Sequence, residues 1–84
     1  MRRPVIAGNW KMFKTRSETR AFFAAFAPLV AGAAHCDIVI GAPFTALAAV
    51  VEASRGTPIS IAAQDLHLEK EGAFTGEVST KMLV

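Results

Sequence analysis

The sequence predicts an α/β protein built on a parallel sheet, and three observations carry that prediction. Short, continuous apolar runs rich in Val, Ile and Ala recur at Pro4–Ala7, Asp37–Ala42 and Ile59–Ala63. None alternates between polar and apolar residues, and uninterrupted runs are how strands buried on both faces read. Segments of helical spacing lie between them, giving the order β-α-β-α-β-(α), in which strands separated by helices pair in parallel through right-handed crossovers. The third observation is an apolar excess: 52% of the 84 residues are hydrophobic and 19% are charged. So short a chain has room for one small domain at most and a large surface to cover. The excess therefore predicts apolar faces that these residues do not cover by themselves.

The first strand, Pro4–Ala7, is followed by Gly8 and leads into a helix with a clear start signal. Thr15 and Glu18 have capping-box spacing, the hydroxyl accepting from a free backbone N–H and the glutamate reaching back. Ala21, Phe22, Ala25, Phe26, Leu29 and Val30 then recur at i, i+4 and i+8, which predicts one apolar face. Pro28 removes a backbone donor and is expected to kink the helix or end it early; Gly32 is the stop signal. The second strand runs to Gly41 and Pro43. A second helix is predicted from Thr45 to Gly56, with Leu47, Val50, Val51 and Ser54 on one face. The third strand follows Pro58. Ser79 is placed as the N-cap of a third helix, Thr80–Val84. The connection from Gln64 to Val78 is long for a compact domain, and long connections are usually functional.

Several classes are excluded by composition. The apolar content is too high for disorder. One cysteine, Cys36, cannot staple a miniprotein and points to a reducing, cytoplasmic setting. A net charge of +2 with no basic run longer than Arg2-Arg3 gives no nucleic-acid surface. The uncharged stretch Ala21–Ala34 is shorter than the roughly 18–20 residues that span a bilayer. A secretory signal would place a short basic segment directly before its apolar core. Here twenty residues precede the stretch, so it reads as a buried helix and not as a membrane segment. No GxGxxG, Walker loop, CxxC or HExxH occurs, which argues against a dinucleotide, ATP or structural zinc site.

Chemistry in parallel α/β proteins gathers at the carboxyl ends of the strands. The first such end reads Gly8-Asn9-Trp10-Lys11-Met12. If strand geometry continues, Asn9 and Lys11 point one way and Trp10 the other. An ammonium there attracts phosphate and stabilises developing negative charge, and an amide adds donors. Spacing alone favours a surface lysine beside a turn asparagine. The second strand end, around Pro43, reads as a turn into a helix. After the third, Glu69, Lys70 and Glu71 read as a solvated turn. Phe74 and Thr75, between Gly72 and Gly76, read as a shaped loop tip of the kind that makes contacts. His35, Cys36 and Asp37 are adjacent, but neighbours on an extended segment face opposite ways, so a loop histidine and a buried cysteine are expected there and not a metal site. His67 has no partner visible in the sequence.

Four segments together carry a resemblance that the spacing alone does not. Gly8-Asn9-Trp10-Lys11-Met12 resembles the first strand end of the triosephosphate isomerases, and Glu71-Gly72-Ala73-Phe74-Thr75-Gly76-Glu77-Val78-Ser79 resembles their third loop. Ala42-Pro43-Phe44-Thr45 and Ala62-Ala63-Gln64-Asp65 are similar to the ends of their second and third strands. The resemblance covers essentially the whole chain. It implies a parallel (β/α)8 TIM barrel, of which residues 1–84 supply β1-α1-β2-α2-β3 and the start of α3 as the N-terminal part of a single domain. It implies a cofactor-free homodimer of glycolysis and gluconeogenesis that interconverts dihydroxyacetone phosphate and glyceraldehyde 3-phosphate through an enediolate. By matching positions, Asn9 and Lys11 resemble the substrate-binding pair, with Lys11 the electrophilic lysine. Met12, Gln64, Phe74, Thr75, Gly76 and Glu77 resemble the dimer contact, where loop three of one subunit reaches over the other's active site and Gln64 supports that loop.

The resemblance also implies what residues 1–84 do not contain. The family is itself a standard case of environment-tuned acid–base catalysis, with a glutamate base and a histidine electrophile. Both belong to later strands, as do the phosphate loops, and a barrel of this kind takes roughly 250 residues. Asp65 stands where many members have Asn. The expectations are therefore that the complete enzyme is active and that these 84 residues alone are inactive, and unfolded, molten or self-associated. Two alternatives are a free-standing βαβαβ binding or assembly module, and one part of a split barrel completed by a companion chain.

Overall fold

The computed structural model describes residues 2–84. Its elements are β1 (Val5–Asn9), α1 (Arg16–Val30), β2 (Asp37–Ala42), a single 3-10 turn (Phe44–Ala46), α2 (Leu47–Ser54), β3 (Ile59–Ala63) and α3 (Thr80–Leu83). The strands form one sheet in the order β1-β2-β3, with both pairings parallel. The expected element order and pairing are therefore observed. β1 extends two residues further than its apolar run, because Gly8 and Asn9 still pair with Ile40 and Gly41.

Register divides the sheet into two unlike faces. β2 aligns Ile38 with Ile59 and Ile40 with Ile61 on β3, and alternate residues of a strand share a face. Ile38, Ile40, Ala42 and Ile59 are buried with Phe23, Cys36, Ala46 and Val50 in one core beneath the helices. Residues of the other parity, Ala7, Val39, Gly41, Ser60 and Ala62, are exposed or half-buried and take no part in that core. β1 is exposed along its whole length. The apolar excess of the composition thus resolves into a helix-covered face and a bare one.

The capping box of α1 is present in both directions. Glu18 N donates to Thr15 Oγ1 at 3.3 Å, and Thr15 N donates to Glu18 Oε1 at 3.1 Å. The buried stripe is rotated from the expected one. Thr19 and Phe23 are buried and Phe22, Phe26 and Val30 half-buried, whereas Ala21 and Ala25 are exposed and Leu29 is 80% exposed. The apolar pattern missed Thr19 because its hydroxyl is satisfied locally, donating to Thr15 O at 2.8 Å, which allows a polar residue into the core. Pro28 neither ends the helix nor shortens it, as α1 continues to Val30. The carbonyl deprived of a donor belongs to exposed Ala24, where water can serve it.

The second helix does not begin as one α-helix at Thr45. Pro43 precedes a tight 3-10 turn, and the α-helix proper ends at Ser54, short of Gly56. Its buried side is Ala46, Ala49 and Val50, while Val51 is 45% exposed, so Val51 and Ser54 do not form the inner face. Ser79 sits at the N-cap of α3, but its hydroxyl makes no capping bond and is buried without a partner. The His35-Cys36-Asp37 segment is a structural tie: Arg3 donates to Asp37 Oδ1 at 2.7 Å and to Cys36 O at 3.1 Å. Among the described residues no helix is long and apolar enough to cross a membrane.

Candidate active site at the carboxyl ends of the strands

β1 ends at Asn9, and the chain leaves the sheet through a turn that corrects the expected strand-like alternation. Lys11 and Lys14 both have positive φ, 53° and 75°, a conformation that costs a residue with a Cβ about 1 kcal/mol or more. Lys11 therefore does not continue the extended backbone of β1. Instead Asn9 closes an Asx turn, its Oδ1 accepting from Lys11 N at 2.9 Å. Trp10 does turn the other way. It packs edge-on against Phe22 at 5.2 Å and Phe23 at 6.3 Å, and Lys14 Nζ lies 5.4 Å from the ring centroids of both Trp10 and Phe22. One side of the turn is thus anchored in the core.

The other side is held by Gln64, on the residue after β3. Its Nε2 is 3.2 Å from Asn9 Oδ1, 2.9 Å from Lys11 O and 3.1 Å from Gly41 O. Two amide hydrogens serve these three acceptors, so one side chain joins the ends of all three strands. Strand parity explains the meeting: Asn9 pairs with Gly41, Gly41 pairs with Ala62, and Gln64, two residues beyond Ala62, falls on the same bare face. Lys11 is bonded at both ends of its own residue, N–H to Asn9 and carbonyl to Gln64, which offsets its unfavourable φ. Within this chain the Gln64 amide hydrogens are directed to the strand ends. Lys11 is exposed, and its ammonium is in no ion pair among the described residues.

Loop 64–78 is well defined. His67 N donates to Val78 O at 2.8 Å and pairs with Ser79 in an isolated parallel bridge, closing the loop at its base. Glu69 N donates to His67 Nδ1 at 3.1 Å, and the His67 ring lies 4.2 Å from that of Phe74. Gly72 has φ 148°, and a Cβ there would come within 2.8 Å of Phe74 Cε2. Glu71 pairs with Lys81 at 3.1 Å. His67, which had no visible partner in the sequence, is therefore the inner support of the tip. A histidine and a phenylalanine seven positions apart gave no periodic signal of this, since a loop has no period. Thr75, Gly76 and Glu77 are exposed, Phe74 is 46% exposed, and Met12 is 94% exposed.

A parallel β/α sheet whose polar side chains collect beyond the carboxyl ends of its strands is the construction of the β/α-barrel proteins. Comparison narrows this class to one family. Residues 4–84 match the family model described as triosephosphate isomerase. The chain is 63% identical over 83 residues to triosephosphate isomerase of Solibacter usitatus, covering 99% of this chain and 33% of that protein. It is 55% identical over 84 residues to triosephosphate isomerase of Citrifermentans bemidjiense, covering 100% and 34% respectively. The crystal structure of triosephosphate isomerase from Bartonella henselae superposes with a TM-score of 0.85 at 33% identity, over 96% of this chain and 33% of that one. The chain belongs to the triosephosphate isomerase family, and it spans about a third of the length of the relatives it matches. Its sheet and helices are the first β/α units of a (β/α)8 barrel.

Proposed function

We propose that these residues form the Asn9–Lys11 part of a triosephosphate isomerase active site, acting on dihydroxyacetone phosphate and D-glyceraldehyde 3-phosphate. The observation that carries the reading is the held turn at the end of β1. An exposed lysine stands there in a left-handed conformation, its peptide bonded on both sides by Asn9 and Gln64. Removal of a proton from carbon next to a carbonyl leaves an enediolate, with negative charge on oxygen. An ammonium held in advance near that oxygen and the substrate phosphate stabilises the transition state more than the ground state. Asn9 is assigned to substrate binding beside it.

Family membership supports the rest of the reading. Met12, Gln64 and residues 74–77 are proposed as a homodimer contact, the protein as a cytoplasmic enzyme of glycolysis and gluconeogenesis, and residues 1–84 by themselves as inactive. Steady-state isomerisation by the full-length protein tests the assignment. Lys11→Ala is expected to lower kcat/KM by at least about 100-fold, the scale of losing one oxyanion-stabilising group. Unchanged turnover in that variant would overturn it.

A further inference from the structure

Loop 67–77 contains a titratable group in a position where its proton count decides a hydrogen bond. The backbone N–H of Glu69 can only donate, and it points at His67 Nδ1 from 3.1 Å. Nδ1 must therefore be the unprotonated nitrogen, which fixes the ring as the neutral Nε2–H tautomer. The same ring lies against Phe74 at a centroid distance of 4.2 Å, and Phe74 fits only because Gly72 leaves room for it. Glu77 N in turn donates to Phe74 O at 3.0 Å. One chain of contacts thus runs from Glu69 through His67 and Phe74 to the tip.

We propose that His67 is a proton-sensitive latch that sets the shape of loop 72–77 and, through it, the strength of subunit contact. A proton added at Nδ1 turns an acceptor into a donor facing the donor of Glu69, so that bond is lost and the ring, the Glu69 peptide and Phe74 settle into a different arrangement. The charged groups around this hollow are the carboxylates of Glu69, Glu71 and Glu77 and the ammonium of Lys70, with Lys81 paired to Glu71. Three carboxylates against two ammoniums offer the imidazolium new partners, so the loop changes arrangement without expelling the histidine. The subunit part of the proposal rests on the reading of residues 74–77 as a dimer contact.

The test uses the full-length protein and its His67→Asn variant, whose side-chain oxygen is an acceptor at the place of Nδ1 but does not titrate. NMR follows the Glu69 amide and the Phe74 ring between about pH 8 and about pH 5, and sedimentation measures the dimer dissociation constant at both ends. The wild type is expected to show both signals moving together with the His67 ring. Its dissociation constant should be about three- to tenfold higher at the lower pH, the equivalent of one lost hydrogen bond. His67→Asn should show neither change. Glu69 and Phe74 signals that stay still while His67 titrates, or that move equally in His67→Asn, would overturn the latch. A wild type that is monomeric at both pH values, with the two signals still moving, would overturn the subunit reading and its link to the latch but leave the loop latch standing.

Discussion

Asn9, the last residue of β1, and Gln64, the residue after β3, are 55 positions apart in sequence and meet at 3.2 Å. The amide that makes this contact also reaches Lys11 O and Gly41 O, so the position needs a donor. Gln64→Glu keeps the shape and replaces the donor by a carboxylate facing three oxygen acceptors. The expected loss is about 1–3 kcal/mol of stability, the scale of unmade hydrogen bonds and unsatisfied acceptors. Chemical denaturation of the full-length protein measures it. Gln64→Asn, one methylene shorter, should recover only part.

Sequence reading located this corner of the molecule but not its wiring. Three apolar runs and the capping box at Thr15 and Glu18 fixed the order of elements, because short-range patterns reflect local backbone physics. The carboxyl end of β1 was legible as a place for chemistry. The left-handed φ of Lys11 was not, since one of the two bonds that hold that residue comes from a side chain 53 positions away. Thr19 escaped the core prediction for a similar reason: a buried hydroxyl bonded to its own preceding turn carries no hydrophobic signal. Membership of the triosephosphate isomerase family was readable from the four matching segments and needed no geometry.

Acid should loosen the start of α1. Backbone and side-chain hydrogen bonds from Thr15, aided by the Lys14 charge and opposed by slight desolvation, hold the Glu18 carboxyl below its usual value. A folded-state value below the unfolded one means the unfolded chain takes up the proton first. The contribution is therefore full above the ordinary glutamate range and is lost as pH falls through that range to the lowered folded value. Glu18→Gln keeps the capping oxygen without its charge. Between about pH 6 and about pH 3, the wild type should lose its thermal-stability advantage over this variant. Parallel curves for the two proteins would contradict the assignment.

Gly72→Ala should disturb the loop while leaving the sheet intact. At φ 148° an alanine is strained, and its Cβ would also press on Phe74 from 2.8 Å. A backbone conformation of this kind costs a residue with a side chain about 1–3 kcal/mol. The cheapest relief is for the Phe74 ring to swing away from His67. Loss of the ring-current shift on the His67 side-chain protons is the expected signature, with amide signals of β2 unchanged.

Val50→Ala probes the core that supports the site. Val50 is fully buried and lies where α2 packs into the core formed by Ile38, Ile40, Ile59 and Phe23. Removing two methyl groups there should cost about 1.5–3 kcal/mol, the transfer term plus whatever cavity fails to collapse. Val51→Ala, one position on and 45% exposed, should cost well under half of that. Equal losses for the two would place Val51 on the inner face of α2 together with Leu47, Val50 and Ser54, as the sequence pattern predicts.

Residues 1–84 expressed by themselves should not behave as a well-ordered monomer. β1 and β3 are both sheet edges, and an unpaired edge is a template for another strand. Val5 is 58% exposed and Ile6 62% exposed, although they belong to one of the three apolar runs. The face bearing Val39 and Ala62 is outside the core as well. Burial of such surface stabilises at about 25 cal/mol per Å², so association of copies, or a loosely packed state that shields the sheet from within, is favoured over isolated chains. Sedimentation should give a mass well above the 8.9 kDa of one copy, or the amide spectrum should be broad and poorly dispersed. A sharp, dispersed spectrum from a particle of 8.9 kDa would show instead that the helix-covered core alone suffices to hold the three strands.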